Sequence, residues 1–104
     1  MEVIERLEKT LDARKTANAE KSYTAALFQK GEDAILKKIG EESVETILAA
    51  KENDRAHLIY ESADLLFHLL VLLRHKNIAF AEILAELARR EGVSGIEEKN
   101  SRQK

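Results

Sequence analysis

Uninterrupted helix-favouring sequence is the feature that most constrains the fold of this chain. Proline is absent from all 104 residues, and Ala, Leu, Glu, Lys and Arg dominate. Apolar residues recur at the spacings of an amphipathic helix, and no stretch shows the strict alternation typical of a half-buried strand. The sequence therefore predicts an all-α fold, a helical bundle.

Residues suited to helix ends divide the chain into about five helices. Short polar side chains favour the N-terminus of a helix, and glycine favours the C-terminus. The predicted N-terminal residues are Ser22, Asn53 or Asp54, and Asn77. The predicted C-terminal glycines are Gly31 and Gly92. These positions predict a third helix over about residues 32–51 and a fourth that ends near residue 75.

Apolar residues on the third and fourth helices predict more burial than one short chain provides. The stripe on the third helix consists of Ile35, Leu36, Ile39, Val44 and Ile47. The fourth helix is apolar almost all round between Leu65 and Leu73, so both of its sides need cover. We therefore expect one domain over residues 1–104 whose core is completed by a homodimer, with a polar, mobile tail over residues 93–104.

Composition narrows the classes of partner. The formal charge is only -2, from 17 basic and 19 acidic residues, which gives no electrostatic basis for nucleic-acid binding. The longest apolar stretch is too short to span a bilayer, and the N-terminus lacks an apolar signal core. We therefore expect no nucleic acid and no membrane as partners, and a cytoplasmic location. Cysteine is absent, which excludes thiolate metal sites and cysteine nucleophiles.

Clustered acids are the main indication of function. Glu41, Glu42 and Glu45 lie on the third predicted helix, and Glu61 and Asp64 lie on the fourth. Residues three or four apart share one side of a helix, so each helix presents carboxylates together. Such a cluster is stable near neutral pH when a cation lies among the acids, and Mg²⁺ or Mn²⁺ prefers oxygen ligands. The alternative is an ordinary solvated acidic face.

Further polar residues flank the acids. His68 lies one turn beyond Asp64 and could touch a substrate, although a buried, hydrogen-bonded histidine is the more common case. Three lysines near the acidic helix could contact phosphate oxygens. They are Lys37, Lys38 and Lys51. Arg89 could hold a phosphate or stabilise the end of the fifth helix. A phosphoanhydride is the natural substrate for such a site, because metal ions and cations neutralise phosphate oxygens.

Several segments resemble one enzyme family. The segments are 37–45, 49–51 and 61–70, with an opening Ser22-Tyr23-Thr24 and a closing Ser94-Gly95-Ile96-Glu97-Glu98-Lys99. This pattern is similar to phosphoribosyl-ATP pyrophosphatase of histidine biosynthesis, within the all-α MazG-like nucleotide pyrophosphohydrolases. The paired acids are common to the wider group, whereas the opening and closing segments select the histidine enzyme.

The resemblance implies Mg²⁺-dependent hydrolysis of phosphoribosyl-ATP to phosphoribosyl-AMP and pyrophosphate by a helical homodimer. It implies Glu42, Glu45, Glu61 and Asp64 as metal ligands. Glu41 is implied as a further ligand or a water-activating base, and Glu41 and Glu45 are the candidates for the catalytic proton acceptor. Two alternatives stay open: a house-cleaning nucleoside triphosphate pyrophosphatase with the same acids, and a non-enzymatic helical dimerisation module.

Overall fold

The computed structural model consists of helices joined by short turns. It describes residues 2–93 and 95–102, without the side chains of residues 97, 98, 101 and 102. The helices are α1 (Glu2–Arg14), α2 (Tyr23–Lys30), α3 (Glu32–Lys51), α4 (Arg55–His75), α5 (Phe80–Arg89) and α6 (Gly95–Arg102). No strand occurs among these residues, so the predicted all-α class is confirmed.

The predicted caps set the boundaries of the central helices. The Ser22 hydroxyl accepts a hydrogen bond from the backbone N–H of Ala25 at 3.1 Å, which starts α2 at the next residue. Asp54, rather than Asn53, caps α4 by accepting from the backbone N–H of His57 at 3.0 Å. Gly31 adopts φ 96°, a region open to glycine, where α2 ends and α3 begins.

The predicted start of the fifth helix is wrong. Asn77 has φ 60° and lies just beyond the end of α4, and α5 begins only at Phe80. The carboxylate of Glu82 accepts from the backbone N–H of Ala79 at 2.9 Å, which supplies a cap that Ala79 itself cannot provide. Gly92, with φ 76°, follows the end of α5 as expected.

The core forms where the first four helices meet. Its buried residues are Ile4, Leu11, Leu27, Ile35, Leu70 and Val71. The α3–α4 pair makes the most extensive contact between helices, and α1 and α2 pack against α4 as well. Arg74 joins α4 to α1 through a two-bond ion pair with Asp12, at 2.9 and 2.8 Å. These contacts fix α3 against α4, the two helices that carry the acids.

The predicted apolar stripe on α3 is only partly buried. Ile35 is fully buried, but Val44 and Ile47 are 54% and 61% exposed. The chain has 7505 Å² of accessible surface, against about 5900 Å² expected for a compact monomer of its mass. Its radius of gyration of 16.1 Å likewise exceeds the value of about 13 Å expected for a compact domain of this length. The stripe therefore extends beyond the core that the chain builds alone.

The central helix α4 is long and strongly apolar. The sequence suggested that no apolar stretch is long enough to span a bilayer, but α4 is a 21-residue helix that by length and composition alone could cross a membrane. It nevertheless packs against α1, α2 and α3, and it contains the buried polar residues Glu61 and His68. A single helix of this kind is weak evidence for a membrane span, because the core helix of a soluble protein can have the same length and composition.

The C-terminal segment contains a helix that the sequence reading did not predict. Gly95–Arg102 is helical, and Ile96 on it is 76% exposed. Its polar composition gives little apolar periodicity, so the pattern offered no helix signal. Ser94 and residues 103–104 lie outside the described residues, and mobility of the tail stays a prediction.

Candidate metal and phosphate site

Two predicted ligands are buried between α3 and α4. Glu42 on α3 and Glu61 on α4 are each only 7% exposed. Burial of a carboxylate is costly unless a cation or hydrogen bonds compensate it. The interface between these helices therefore has to provide compensation for both acids.

Glu42, Asp64 and His68 form the tightest group of potential metal ligands in the described part of the chain. One ligand atom from each lies within 4.8 Å of the others. His68 is buried, as the sequence predicts, and its Nδ1 donates to the backbone carbonyl of Asp64 at 2.8 Å. Its Nε2 lies 2.8 Å from the Tyr23 hydroxyl. Both ring nitrogens therefore have partners, which leaves the carboxylates of Glu42 and Asp64 as the available ligands.

The Ser22-Tyr23-Thr24 segment has a structural explanation. The Ser22 cap begins α2 at Tyr23, and this placement brings the Tyr23 ring edge-on to His68, with centroids 5.9 Å apart. Burial raises the pKa of Tyr23, although nearby Lys38 opposes the shift. Tyr23 thus connects α2 to the acid-bearing helices.

Glu61 lies beside the group rather than within it. Its carboxylate contacts Nε2 of His57 at 3.3 Å, while His57 Nδ1 contacts Glu52 at 2.9 Å. The hydrogen bond with Glu52 raises the pKa of His57, burial opposes it, and the contact with Glu61 adds to the rise. His57 therefore compensates the buried Glu61 charge.

Glu45 and Glu41 lie on the solvent side of α3. Both are exposed, and Glu45 is absent from the group of close ligand atoms. Lys38 lies 3.4 Å from Glu42 and 3.9 Å from Glu41. Burial alone would lower the pKa of Lys38, but Tyr23 and these two carboxylates raise it overall. Lys38 is therefore the charged ammonium partner of the buried Glu42.

A cleft of about 290 Å³ opens next to the acids, between α2 and α3. The polar side chains that line it are Tyr23, Lys30, Lys37, Lys38 and Glu41. Three lysines thus line a space at the small end of the range for ligand sites. The cleft suits a phosphate chain better than a whole nucleotide.

Two other predicted site residues lie elsewhere. Lys51 ends α3, 13 residues beyond Lys38, which corresponds to about 20 Å along the helix. Arg89 lies on α5 and forms an ion pair with Glu86 at 2.8 Å. The structure does not bring either residue to the cleft.

Three contributors to this region were not among the site residues predicted from the sequence: Lys30, His57 and Thr46. His57 precedes Glu61 by four residues, a spacing that could have indicated the contact. The Thr46 hydroxyl lies within hydrogen-bonding distance of two backbone carbonyls, one on each acid-bearing helix. Lys30 has no local signal, because only the fold of α2 against α3 brings it to the cleft.

Comparison with known proteins places this chain in a family. Residues 4–91 match the family model described as phosphoribosyl-ATP pyrophosphohydrolase. Phosphoribosyl-ATP pyrophosphatase of Nitrosomonas eutropha is 55% identical over 96% of this chain and 86% of its own length. Its counterpart from Dinoroseobacter shibae is 54% identical over 98% and 100%, and that from Aromatoleum aromaticum is 52% identical over 98% and 94%. The chain therefore belongs to the phosphoribosyl-ATP pyrophosphohydrolase family.

Proposed function

We propose that this protein hydrolyses phosphoribosyl-ATP to phosphoribosyl-AMP and pyrophosphate, a reaction of histidine biosynthesis, at a divalent-metal site between α3 and α4. Family membership supports the reaction. The observation that supports the location is the close approach of the Glu42 and Asp64 carboxylates beside a lysine-lined cleft. Because its substrate is a nucleotide biosynthetic intermediate, we also propose a cytoplasmic location.

The donor set suits Mg²⁺, with Mn²⁺ as a substitute. Glu42 and Asp64 offer carboxylate oxygens, and the ring nitrogens of His68 are already hydrogen-bonded. Hard cations prefer oxygen ligands, and Mg²⁺ commonly takes substrate phosphates as further ligands. Glu45 and Glu61, on the adjacent turns, complete the proposed ligand set. When bound, Mg²⁺ neutralises phosphate charge and makes water a stronger acid.

The lysines of the cleft hold the phosphate chain. Lys30, Lys37 and Lys38 line the same cleft, and ammonium groups bind phosphate oxygens as point charges. Lys38 also stays next to Glu42, so it joins the phosphate-binding side of the site to the acidic side. This arrangement orients the phosphoanhydride bond towards the acids.

An exposed carboxylate accepts the proton from the attacking water. Water forms a bond to phosphorus, the phosphoanhydride bond breaks, and pyrophosphate leaves with the electrons of that bond. Glu41 lines the cleft and is exposed, so it can reach a water there, and Glu45 lies one turn away. Glu41 and Glu45 are therefore the proposed catalytic residues.

A second copy of the chain completes the site and the core. Exposed apolar side chains occur on both α3 and α4. They are Val44, Ile47, Leu48, Ile59 and Tyr60, each at least half exposed. The excess accessible surface and the small cleft both support a homodimer, since part of a nucleotide substrate needs further cover.

Pyrophosphate release from phosphoribosyl-ATP tests the proposal. The purified protein should release pyrophosphate with added Mg²⁺ and lose this activity with a chelator. A Glu45→Gln variant should lose at least about 10²-fold if Glu45 is a direct ligand or proton acceptor. Chelator-resistant activity would contradict the metal site.

A panel of canonical and damaged nucleoside triphosphates tests the house-cleaning alternative. We expect phosphoribosyl-ATP to have the highest kcat/KM in the panel. A higher value for a nucleoside triphosphate would favour the alternative. Absence of hydrolysis of every compound would favour the dimerisation module.

A further inference from the structure

Thr46 makes a contact that none of the proposed catalytic roles uses. Its hydroxyl lies 2.8 Å from the backbone carbonyl oxygen of Glu42 and 3.2 Å from that of Glu61. The first contact joins residues of one helix, and the second crosses from α3 to α4. Both carbonyls belong to the buried acids of the site.

Ser43, one turn earlier on α3, shows why the crossing contact matters. Its hydroxyl donates to the backbone carbonyl of Ile39 at 2.8 Å, the ordinary bond of a serine within a helix. Thr46 has a single hydroxyl proton, which the Glu42 carbonyl at 2.8 Å and the Glu61 carbonyl at 3.2 Å share in a three-centre hydrogen bond. The two half-buried hydroxyls therefore differ chiefly in this contact with α4.

The contact between the Thr46 hydroxyl and the Glu61 carbonyl restrains the relative position of α3 and α4. A hydrogen bond weakens steeply as its distance and angle change. Ala49, fully buried on the next turn, adds a small side chain that allows close approach of the helices. A shift here would move Glu42 relative to Glu61 and Asp64.

We propose that Thr46 is a positioning residue of the metal site, whose hydroxyl fixes the separation of the helix turns that carry Glu42 and Glu61. The inference rests on the proposed function, because it assumes that these acids bind a divalent cation. It predicts that loss of the hydroxyl weakens metal binding more than it weakens the fold.

Mn²⁺ binding to the substrate-free protein, measured by electron paramagnetic resonance, tests this role. Thr46→Val keeps the branched shape and removes the hydroxyl, and it should weaken Mn²⁺ binding about tenfold or more. Ser43→Ala removes only the ordinary helix bond and should stay within about twofold of the wild type. Thr46→Ser retains the hydroxyl and should restore most of the affinity.

Activity provides a second measurement. For Thr46→Val, saturating Mg²⁺ should restore most of kcat, while the Mg²⁺ concentration for half-maximal activity rises about tenfold. Equal Mn²⁺ affinity in Thr46→Val and wild type would overturn the inference and leave the proposed function intact. Thr46→Ser that behaves like Thr46→Val would also overturn it. A wild-type protein that binds no Mn²⁺ would overturn the proposed metal site and this inference together.

Discussion

The acids of α1 and the acids between α3 and α4 are compensated in different ways. Asp12 receives two hydrogen bonds from Arg74, whose guanidinium also lies 3.7 Å from Glu8. Glu42 and Asp64 have instead the single ammonium of Lys38, 3.4 Å from Glu42, and the buried His68, 3.4 Å from Asp64. The first group is a matched ion pair that joins two helices, and the second retains an excess of carboxylate charge.

This difference indicates which acids serve the fold and which serve the chemistry. A bidentate guanidinium satisfies a carboxylate geometrically and leaves it little capacity for another cation. Carboxylates that are incompletely compensated remain able to bind a metal, and they cost stability while the metal is absent. Substitution of Asp12 should therefore lower stability and leave activity unchanged, whereas substitution of Glu42 should lower activity and change stability less.

The largest expected effect is on activity at Glu42. Glu42→Gln should lower kcat/KM for pyrophosphate release at least about 10²-fold, because it removes a proposed metal ligand. Without metal, the same variant should lose less stability than Asp12→Asn, because reduced repulsion with Asp64 offsets loss of the ion pair with Lys38. Asp12→Asn should retain activity and lose stability. The comparison fails if both variants lose activity to a similar degree.

The next effect concerns substrate binding by Lys38. Lys38→Met should raise KM for phosphoribosyl-ATP about tenfold, because it removes an ammonium group from the cleft. Lys51→Met is the matched control, since Lys51 ends the same helix far from the cleft. Steady-state kinetics at saturating Mg²⁺ should show no more than about a twofold change for Lys51→Met. Equal KM changes in both variants would argue against a role for the cleft.

The smallest effect is the pH dependence of the Asp12–Arg74 pair. The hydrogen bond from Arg74 lowers the pKa of Asp12 below its usual 3.8. A carboxyl with a lowered folded-state pKa stabilises the fold above its unfolded value and loses that contribution as pH falls through the folded value. We expect Asp12→Asn to cost about 1 kcal/mol at neutral pH, the upper end for a partly exposed pair.

Urea unfolding from pH 7 down to pH 3 measures this contribution. The difference between wild type and Asp12→Asn should shrink once the pH falls below about 3.8. A difference that stays constant over the whole range would mean that the Asp12 charge contributes nothing.

The sequence was most informative where local chemistry decides structure. Ser22 and Asp54 predicted helix starts because capping depends on a few adjacent residues, and both caps are present. The start of α5 could not be predicted from an N-terminal capping residue, because the cap is the side chain of Glu82, which lies inside the helix. Periodicity placed Val44 in the same apolar stripe as Ile35, yet it cannot distinguish residues of the chain's own core from residues of an exposed apolar face.

The same limit applies to the site. Spacing of three and four residues predicted which acids share a side of α3 or of α4, but it could not predict that Glu42 and Asp64 come together with His68 while Glu45 and Glu61 lie outside that group. That approach depends on how the two helices pack. Likewise, Lys38 and Lys51 both flank the acids in the sequence, so both were predicted to contact phosphate. In the structure Lys38 lines the cleft, whereas Lys51 lies at the far end of α3.

The most direct test of the account is the melting temperature of wild type and Glu42→Gln as Mg²⁺ is added. Binding to the folded state alone stabilises it by about 2.7 kcal/mol at a metal concentration of 100 times Kd. The account predicts that the wild-type melting temperature rises by several degrees while that of Glu42→Gln stays nearly constant. No rise in the wild type, or an equal rise in both proteins, would contradict a metal site at Glu42.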